Sequence, residues 1–251
     1  MSDRVAVVTG ASSGSGREIS RRLTREGYRV VLADVDEPGG LALADELRAA
    51  GGEPMFVRCD VASVDSAREL GETVAERIGV VDALVNCAGV GRFGPMDDFD
   101  EGAWDVQMNV NAKGIFFVTK YLLACLERSE HASVVNIGSG AGVVGVGNSI
   151  AYCASKGAAV NMSRAMAIDL APRGIRVNCL CPGVVDTPFN DKVLAEVPDP
   201  AAVRRAQEAA HPLHRLATPQ DIAGGVSYLV GDDAAFVTGA VLMVDGGLTA
   251  Q

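Results

Sequence analysis

"RVAVVTGASSGSGREISRRLTREGYRVVLAD", residues 4–34, decides the fold. It begins with a short continuous apolar run at 4–10 and ends with another, "YRVVLAD", at 28–34. Runs of this kind, too short for a helix and apolar throughout, fit strands covered on both faces. Between them "GSGREISRRLTREG" at 14–27 repeats its apolar residues at helical spacing and stops at Gly27. Strand, helix and strand in succession make a crossover unit, in which the two strands run parallel.

The same rhythm carries to the end of the chain. Helix 39–52, strand 53–60, helix 63–79, strand 81–89, a long helix at 100–128, strand 132–139, helix 150–172, strand 174–183, a helix near 218–231 and strand 240–247 follow in order. Only a polar, proline-containing stretch at 186–217 interrupts them, long enough to act as a substrate lid. Seven strands alternating with helices predict an α/β fold: a doubly wound parallel sheet with helices on both faces, in a single domain over 1–251. Such sheets bind ligands at the carboxyl ends of their strands, so the strand ends map the site.

Composition bounds the function. Of 251 residues 48% are hydrophobic, which supplies a substantial core. A formal net charge of −10 argues against nucleic acid or an anionic membrane surface as partner. No apolar run reaches membrane-spanning length, and no leader-like segment precedes the first strand, so a cytoplasmic protein is expected. The six cysteines (Cys59, Cys87, Cys125, Cys153, Cys179 and Cys181) contain no C-x-x-C pair and read as buried, reduced thiols. His211 and His214 are expected at the surface or in the lid, and no metal site is predicted.

The first strand ends in "TGASSGSG", residues 9–16. Gly10, Gly14 and Gly16 allow a tight turn and let a phosphate approach the N–H groups that open the helix. The second strand ends at Asp34, where an acid accepts hydrogen bonds from a ribose and repels a 2′-phosphate. Val35 follows it, and no lysine or arginine lies in the glycine loop before Gly14, so NAD is expected rather than NADP. The third strand ends at Asp60 and Val61, within reach of an adenine edge. The fourth ends in "NCAG": Asn86 can tie strands through backbone bonds, and Ala88 and Gly89 leave room for a flat ligand.

The chemistry is carried by "AYCASKGAA", residues 151–159. Tyr152 and Lys156 stand four apart, on one helix face. An ordinary tyrosine is a poor base at neutral pH, and a neighbouring ammonium favours the phenolate. A phenol so placed serves as general base for alcohol oxidation and as acid for ketone reduction. Ser139 ends the preceding strand, where its hydroxyl can hold the substrate oxygen beside the phenol.

With these residues in view, the chain resembles the short-chain dehydrogenase/reductase family over essentially its whole length. The matching motifs run in order: "TGASSGSG", Asp60, "NCAG", "NVNAKG" at 109–114, Ser139, "YCASK" at 152–156 and "PGVVDT" at 182–187. The resemblance implies a Rossmann-type sheet and a catalytic set of Asn111, Ser139, Tyr152 and Lys156, with Asn111 bending its helix and holding a water against the lysine. It implies that Gly10, Ser13, Gly14, Ser15 and Gly16 cradle the pyrophosphate, and that Val61 contacts adenine through its backbone. Asn86 would stabilise the central sheet, Ala88 and Gly89 would line the cofactor, and Tyr152 and Lys156 would flank the nicotinamide and its ribose. Val185 and Thr187, after Pro182 and Gly183, would hold the carboxamide. Two departures are Ser15, where a bulky aliphatic residue is usual, and Cys87, where a second asparagine is common.

The function implied is interconversion of a secondary alcohol and a ketone. Two alternatives compete: an NADPH-dependent 3-oxoacyl-(carrier protein) reductase, and a non-catalytic dinucleotide-binding sensor. Sugar epimerases and dehydratases share the Tyr–Lys spacing but are usually longer chains. Substrate contacts are expected from Val90, Arg92, Phe93, Gly140, Val144, Asn148, Phe189 and Asn190. Arg92, Arg204, Arg205 and Arg215 read mainly as solvated charges. The lid resembles those of members acting on small hydroxy acids, polyols or sugars. Helix 150–172 is small or apolar on nearly all sides, and with helix 100–128 it is expected to pack on partner copies; the resemblance implies that the assembly is a homotetramer.

Overall fold

The computed structural model describes residues 4–251. Its elements run β1 (Val5–Thr9), α1 (Gly14–Arg25), β2 (Arg29–Asp34), α2 (Glu37–Ala49), β3 (Met55–Arg58), α3 (Val64–Arg77) and β4 (Ala83–Asn86). They continue with α4 (Glu101–Met108), α5 (Gly114–Leu126), β5 (Ser133–Ile137), α6 (Ile150–Leu170), β6 (Arg176–Pro182), α7 (Pro188–Ala195), α8 (Pro200–Ala210), α9 (Pro219–Val230) and β7 (Val241–Val244).

The strands form one seven-stranded sheet in the order β3-β2-β1-β4-β5-β6-β7, every pair parallel. The apolar runs explain why both faces are covered. Side chains alternate across a strand, so Val5, Val7, Val31 and Ala33 enter one core with α3, α5 and the end of α6. Ala6, Val8, Val30 and Leu32 enter the other core with α1, α2 and α9. The sheet is doubly wound, and its order reverses between β1 and β4. That reversal opens a crevice at their carboxyl ends.

Local sequence sets the ends of the helices. Asp36, Ser63, Asp100 and Asp199 cap α2, α3, α4 and α8 through their side chains. Thr218 and Asp221 form a reciprocal capping box at α9, with a proline at its start. The single long helix expected over 100–128 is broken. Between α4 and α5, residues 109–113 form one wide turn in which Gly114 N donates to Asn109 O, five residues back. The stretch expected as a lid folds into α7 and α8.

Candidate active site

The glycine loop is shaped by contacts that exclude side chains. Gly10 has φ +66°, and a Cβ there would lie 2.8 Å from the Ala88 Cα. A Cβ on Gly16 would lie 2.0 Å from Gly10 O. The ends of β1 and β4 are drawn together by Thr9, whose Oγ1 accepts from the main-chain nitrogens of Cys87 (3.0 Å) and Ala88 (3.1 Å). Ser13 makes no side-chain cap on α1, and no acid occupies its first turn. The positive end of α1 therefore faces the crevice without an internal anion, which suits a pyrophosphate.

Asp34 lies at the end of β2, 9% exposed. Its carboxylate accepts from Ser12 N and Asp36 N, both at 2.9 Å. These bonds lock the carboxylate under the glycine loop, and two oxygens with about four acceptor sites leave room for a ribose. Asp60 stabilises the turn after β3 by accepting from Ala62 N at 2.9 Å. Val61 packs against Gly114 at the start of α5. Asn86 ties the sheet through its side chain, where backbone bonds were expected. Its Nδ2 donates to Asn136 Oδ1 (2.8 Å) and Thr119 Oγ1 (3.1 Å), and Asn136 in turn donates to Ser163 (2.9 Å). This polar chain crosses from α5 to α6 through two strands.

Lys156 is 4% exposed, and its Nζ donates to Ile137 O at 2.9 Å. The same Nζ lies 5.9 Å from the centre of the Tyr152 ring. Asn111 sits in the wide turn, fully buried. Its Oδ1 accepts from Val90 N (2.9 Å), and its Nδ2 donates to Val90 O (2.8 Å) and Ser155 Oγ (3.0 Å). The wide turn thus fastens the loop after β4 to α6. Gly89 is the point of convergence: a Cβ on it would stand 3.4 Å from Asn111 Oδ1 and 3.5 Å from Lys156 Nζ. Ser139 Oγ accepts from Ala141 N at 3.2 Å. The turn it starts lies hard against α6, since a Cβ on Gly142 would be 2.6 Å from Lys156 O. The loop holding Ser139 is therefore brought to the helix turn that carries Tyr152 and Lys156.

Two rings flank the phenol. Phe93 lies 5.2 Å and Phe189 6.3 Å from the Tyr152 ring centre, and the two phenylalanines meet edge-on at 6.4 Å. The other expected substrate contacts divide. Asn190 turns inward, exchanging hydrogen bonds with Gln207, and Gly140 is buried. Asn148 accepts Gly94 N through its carbonyl, and Val144 is exposed. Arg92 lies over the Phe99 ring. Arg204 pairs with Asp186 and Arg215 with Asp221. These guanidinium bonds hold both carboxyls below the usual range.

Pro182 and Gly183 leave β6 towards the crevice, and Val185 bridges to Ala217. A Cβ on Gly14 would stand 3.4 Å from Thr187, so the glycine loop and the 182–187 segment close on the crevice from two sides. All six cysteines are free thiols, with Cys179 and Cys181 sulfurs 3.8 Å apart on one side of β6. Desolvation pushes the Cys87 thiol up to about 11, leaving it protonated at neutral pH beside the crevice. His211 lies in the stretch expected as the lid, at the end of α8, but is buried and not at the surface. Thr9 and His211 are the residues sequence reading missed. A threonine paired in register with Asn86 marks the first; the second has no local signal.

A glycine-lined crevice at the reversal of a parallel sheet, an acid at the second strand end and a Tyr–Lys pair on one helix face define a nicotinamide-dependent oxidoreductase. Comparison with known proteins agrees. A family model described as enoyl-(acyl carrier protein) reductase matches residues 10–249. The 2-(S)-hydroxypropyl-CoM dehydrogenase 3 of Xanthobacter autotrophicus is 39% identical, over 100% of this chain and 98% of its own. The cis-4-hydroxycyclohexanecarboxylate dehydrogenase of Sinomonas cyclohexanicum is 39% identical, over 99% and 97%. The ligand-free structure of Thermoplasma acidophilum aldohexose dehydrogenase superposes with a TM-score of 0.89 at 31% identity, covering 99% of this chain and 95% of that one. The chain belongs to the short-chain dehydrogenase/reductase family and interconverts alcohols and ketones.

Proposed function

We propose that the enzyme uses NAD and that Asn111, Ser139, Tyr152 and Lys156 carry the reaction. The observation that supports this best is the meeting of Lys156 and Asn111 at Gly89, with the Tyr152 ring 5.9 Å from the same Lys156 Nζ, at the strand ends where the crevice opens. A nicotinamide held beside Val185 and Thr187 would supply the hydride acceptor for a carbinol carbon and the hydride donor for a carbonyl. In oxidation the Tyr152 oxygen takes the hydroxyl proton, and in reduction it gives that proton back. Ser139 Oγ holds the substrate oxygen in line with the phenol. Lys156 Nζ, fixed by Ile137 O, stands beside the Tyr152 ring, 5.9 Å from its centre. Asn111 keeps the wide turn and the loop after β4 in place.

Asp34 supports NAD. A buried carboxylate under the glycine loop repels a 2′-phosphate, and Arg17 and Arg21 of α1 are both committed to Glu46. One observation favours NADP: Arg58, exposed, is the register partner of Asp34 on β3. Titration with NADH and NADPH, followed by nicotinamide fluorescence, separates the two. Clear preference for NADH upholds the proposal. Preference for NADPH transfers the role to Arg58 and revives the 3-oxoacyl reductase alternative. Binding of neither removes the dinucleotide site.

The substrate proposed is a compact, uncharged secondary alcohol. Phe93 and Phe189 put apolar rings against the phenol, while Arg92, Arg204 and Arg215 are engaged elsewhere. Cyclopentanol, the substrate in the name of a relative from Comamonas testosteroni, is uncharged and of matching shape. Helices α7 and α8 act as the lid. A homotetramer in the cytoplasm completes the proposal, supported by exposed apolar side chains on α4, α5 and α6 and by six free thiols. Among the described residues no helix is long and apolar enough to cross a membrane.

A further inference from the structure

His211 has no task in the reaction outlined above, yet it is 1% exposed and both of its ring nitrogens are engaged. Nδ1 stands 2.6 Å from Gln207 O, and Nε2 accepts from Val184 N at 3.1 Å. A carbonyl only accepts and an amide N–H only donates. The ring is therefore neutral, with its proton on Nδ1 and its lone pair on Nε2. Gly183 makes room for it: a Cβ there would lie 2.6 Å from Nε2.

The two bonds join segments with different tasks. In extended chain, the N–H and C=O of one residue point to one edge and those of the next residue to the other. Val184 O accepts from Ala217 N (2.9 Å) and Asp186 N donates to Ala217 O (2.8 Å). With Val184 N held by His211, residues 184 and 186 are fixed on one edge. The main-chain groups of Val185 are thereby aimed at the opposite edge, where the Thr187 hydroxyl reaches Val185 O at 3.3 Å. On the far side of the imidazole, the Gln207 side chain exchanges two hydrogen bonds with Asn190 of α7, at 3.1 and 3.0 Å. One continuous chain of bonds runs from Val184 through His211 and Gln207 to Asn190.

We infer that His211 is a positioning residue: it sets the Val185 backbone for the cofactor carboxamide and ties that segment to α7 and α8, so that dinucleotide binding and lid ordering are one event. The inference rests on the dinucleotide reading of the site. His211→Phe keeps the ring volume and removes both bonds, whereas His211→Gln returns an acceptor oxygen near the Nε2 position. The full-length protein and both variants are titrated with NADH by fluorescence, and hydrogen exchange of residues 188–210 is measured with and without NADH. The Phe variant is expected to bind NADH about tenfold more weakly, the cost of one unpaired buried N–H, and to lose NADH-induced protection of 188–210. The Gln variant is expected to recover both. A role confined to stability would lower the melting temperature and leave NADH affinity and lid protection unchanged, and that result overturns the inference.

Should the Phe variant fail to fold, Gln207→Leu decides. It cuts the amide pair with Asn190 and spares the main-chain carbonyl that holds the imidazole. NADH binding should persist while protection of 188–195 is lost, and unchanged protection overturns the link. A wild-type protein that binds no NADH removes the dinucleotide reading itself, a result distinct from normal binding in the Phe variant.

Discussion

At the scale of single residues, the tasks proposed for Tyr152 and Asp34 are separable. Tyr152→Phe keeps the ring that packs between Phe93 and Phe189 and removes only the hydroxyl. Turnover should fall by at least about a hundredfold, the low end for loss of a general acid–base, while NADH still binds. Steady-state rates on secondary alcohols with parallel fluorescence titration check this; surviving turnover rejects the proton-transfer role, and a sensor without catalysis would show no wild-type rate to lose. Asp34→Asn keeps one acceptor oxygen and removes the charge. It also disturbs the bonds from Ser12 N and Asp36 N, so NADH affinity should fall by about 1–3 kcal/mol, while NADPH gains relative to NADH. A ratio of the two affinities unchanged from wild type would show that Asp34 does not discriminate.

At the scale of elements, α7 and α9 bear on how the proposed lid is held. Phe189 is the α7 side chain that reaches the phenol. Phe189→Ala should raise KM for an apolar cyclic alcohol by about tenfold and leave NADH affinity unchanged, since the loss is of apolar contact with substrate alone. Equal losses in both would place Phe189 in support of the cofactor. The start of α9 depends on Asp221, which caps with Thr218 and pairs with Arg215. The Arg215 guanidinium comes first among the causes that depress its carboxyl. A depressed folded value stabilises above the unfolded value, near 3.9, and the stabilisation is lost as pH falls below it. Asp221→Asn should therefore cost about 1–2 kcal/mol at neutral pH, mostly as a lost cap, and progressively less below about pH 4 in thermal melts. The strands, the helices and the Tyr–Lys pair were legible in the sequence because each is a local pattern of spacing. The break at 109–113 followed only from the resemblance, since "NVNAKG" continues a helical pattern and the wide turn exists to place Asn111 against Val90 and Ser155. The burial of His211 was illegible for a related reason: its partner Val184 is 27 residues away and bonds through main chain.

At the scale of the whole molecule, the proposed assembly rests on large apolar side chains that stand exposed. Trp104 and Val106 of α4, Phe116 of α5 and Ile168 of α6 are exposed, Ile168 by 75%. These helices cover the face of the sheet built on α3 and α5. A second apolar region lies at the β7 edge of the sheet. There Phe236 is fully exposed, Tyr228 of α9 is exposed, and the edge strand β7 is only half-buried along its length. In the proposed homotetramer these two regions would supply two different two-fold contacts. In a two-fold contact each substitution occurs twice, so one new carboxylate near the axis puts two like charges into a desolvated interface. Light scattering on the wild type should give four times the protomer mass of 26.0 kDa. Ile168→Glu should halve that mass and leave NADH binding intact, because the β7 patch still pairs and Ile168 lies outside the crevice. A tetramer that survives the substitution would move the interface off α6. A wild-type monomer would mean that these side chains face solvent, and the quaternary part of the proposal would fall without touching the active site.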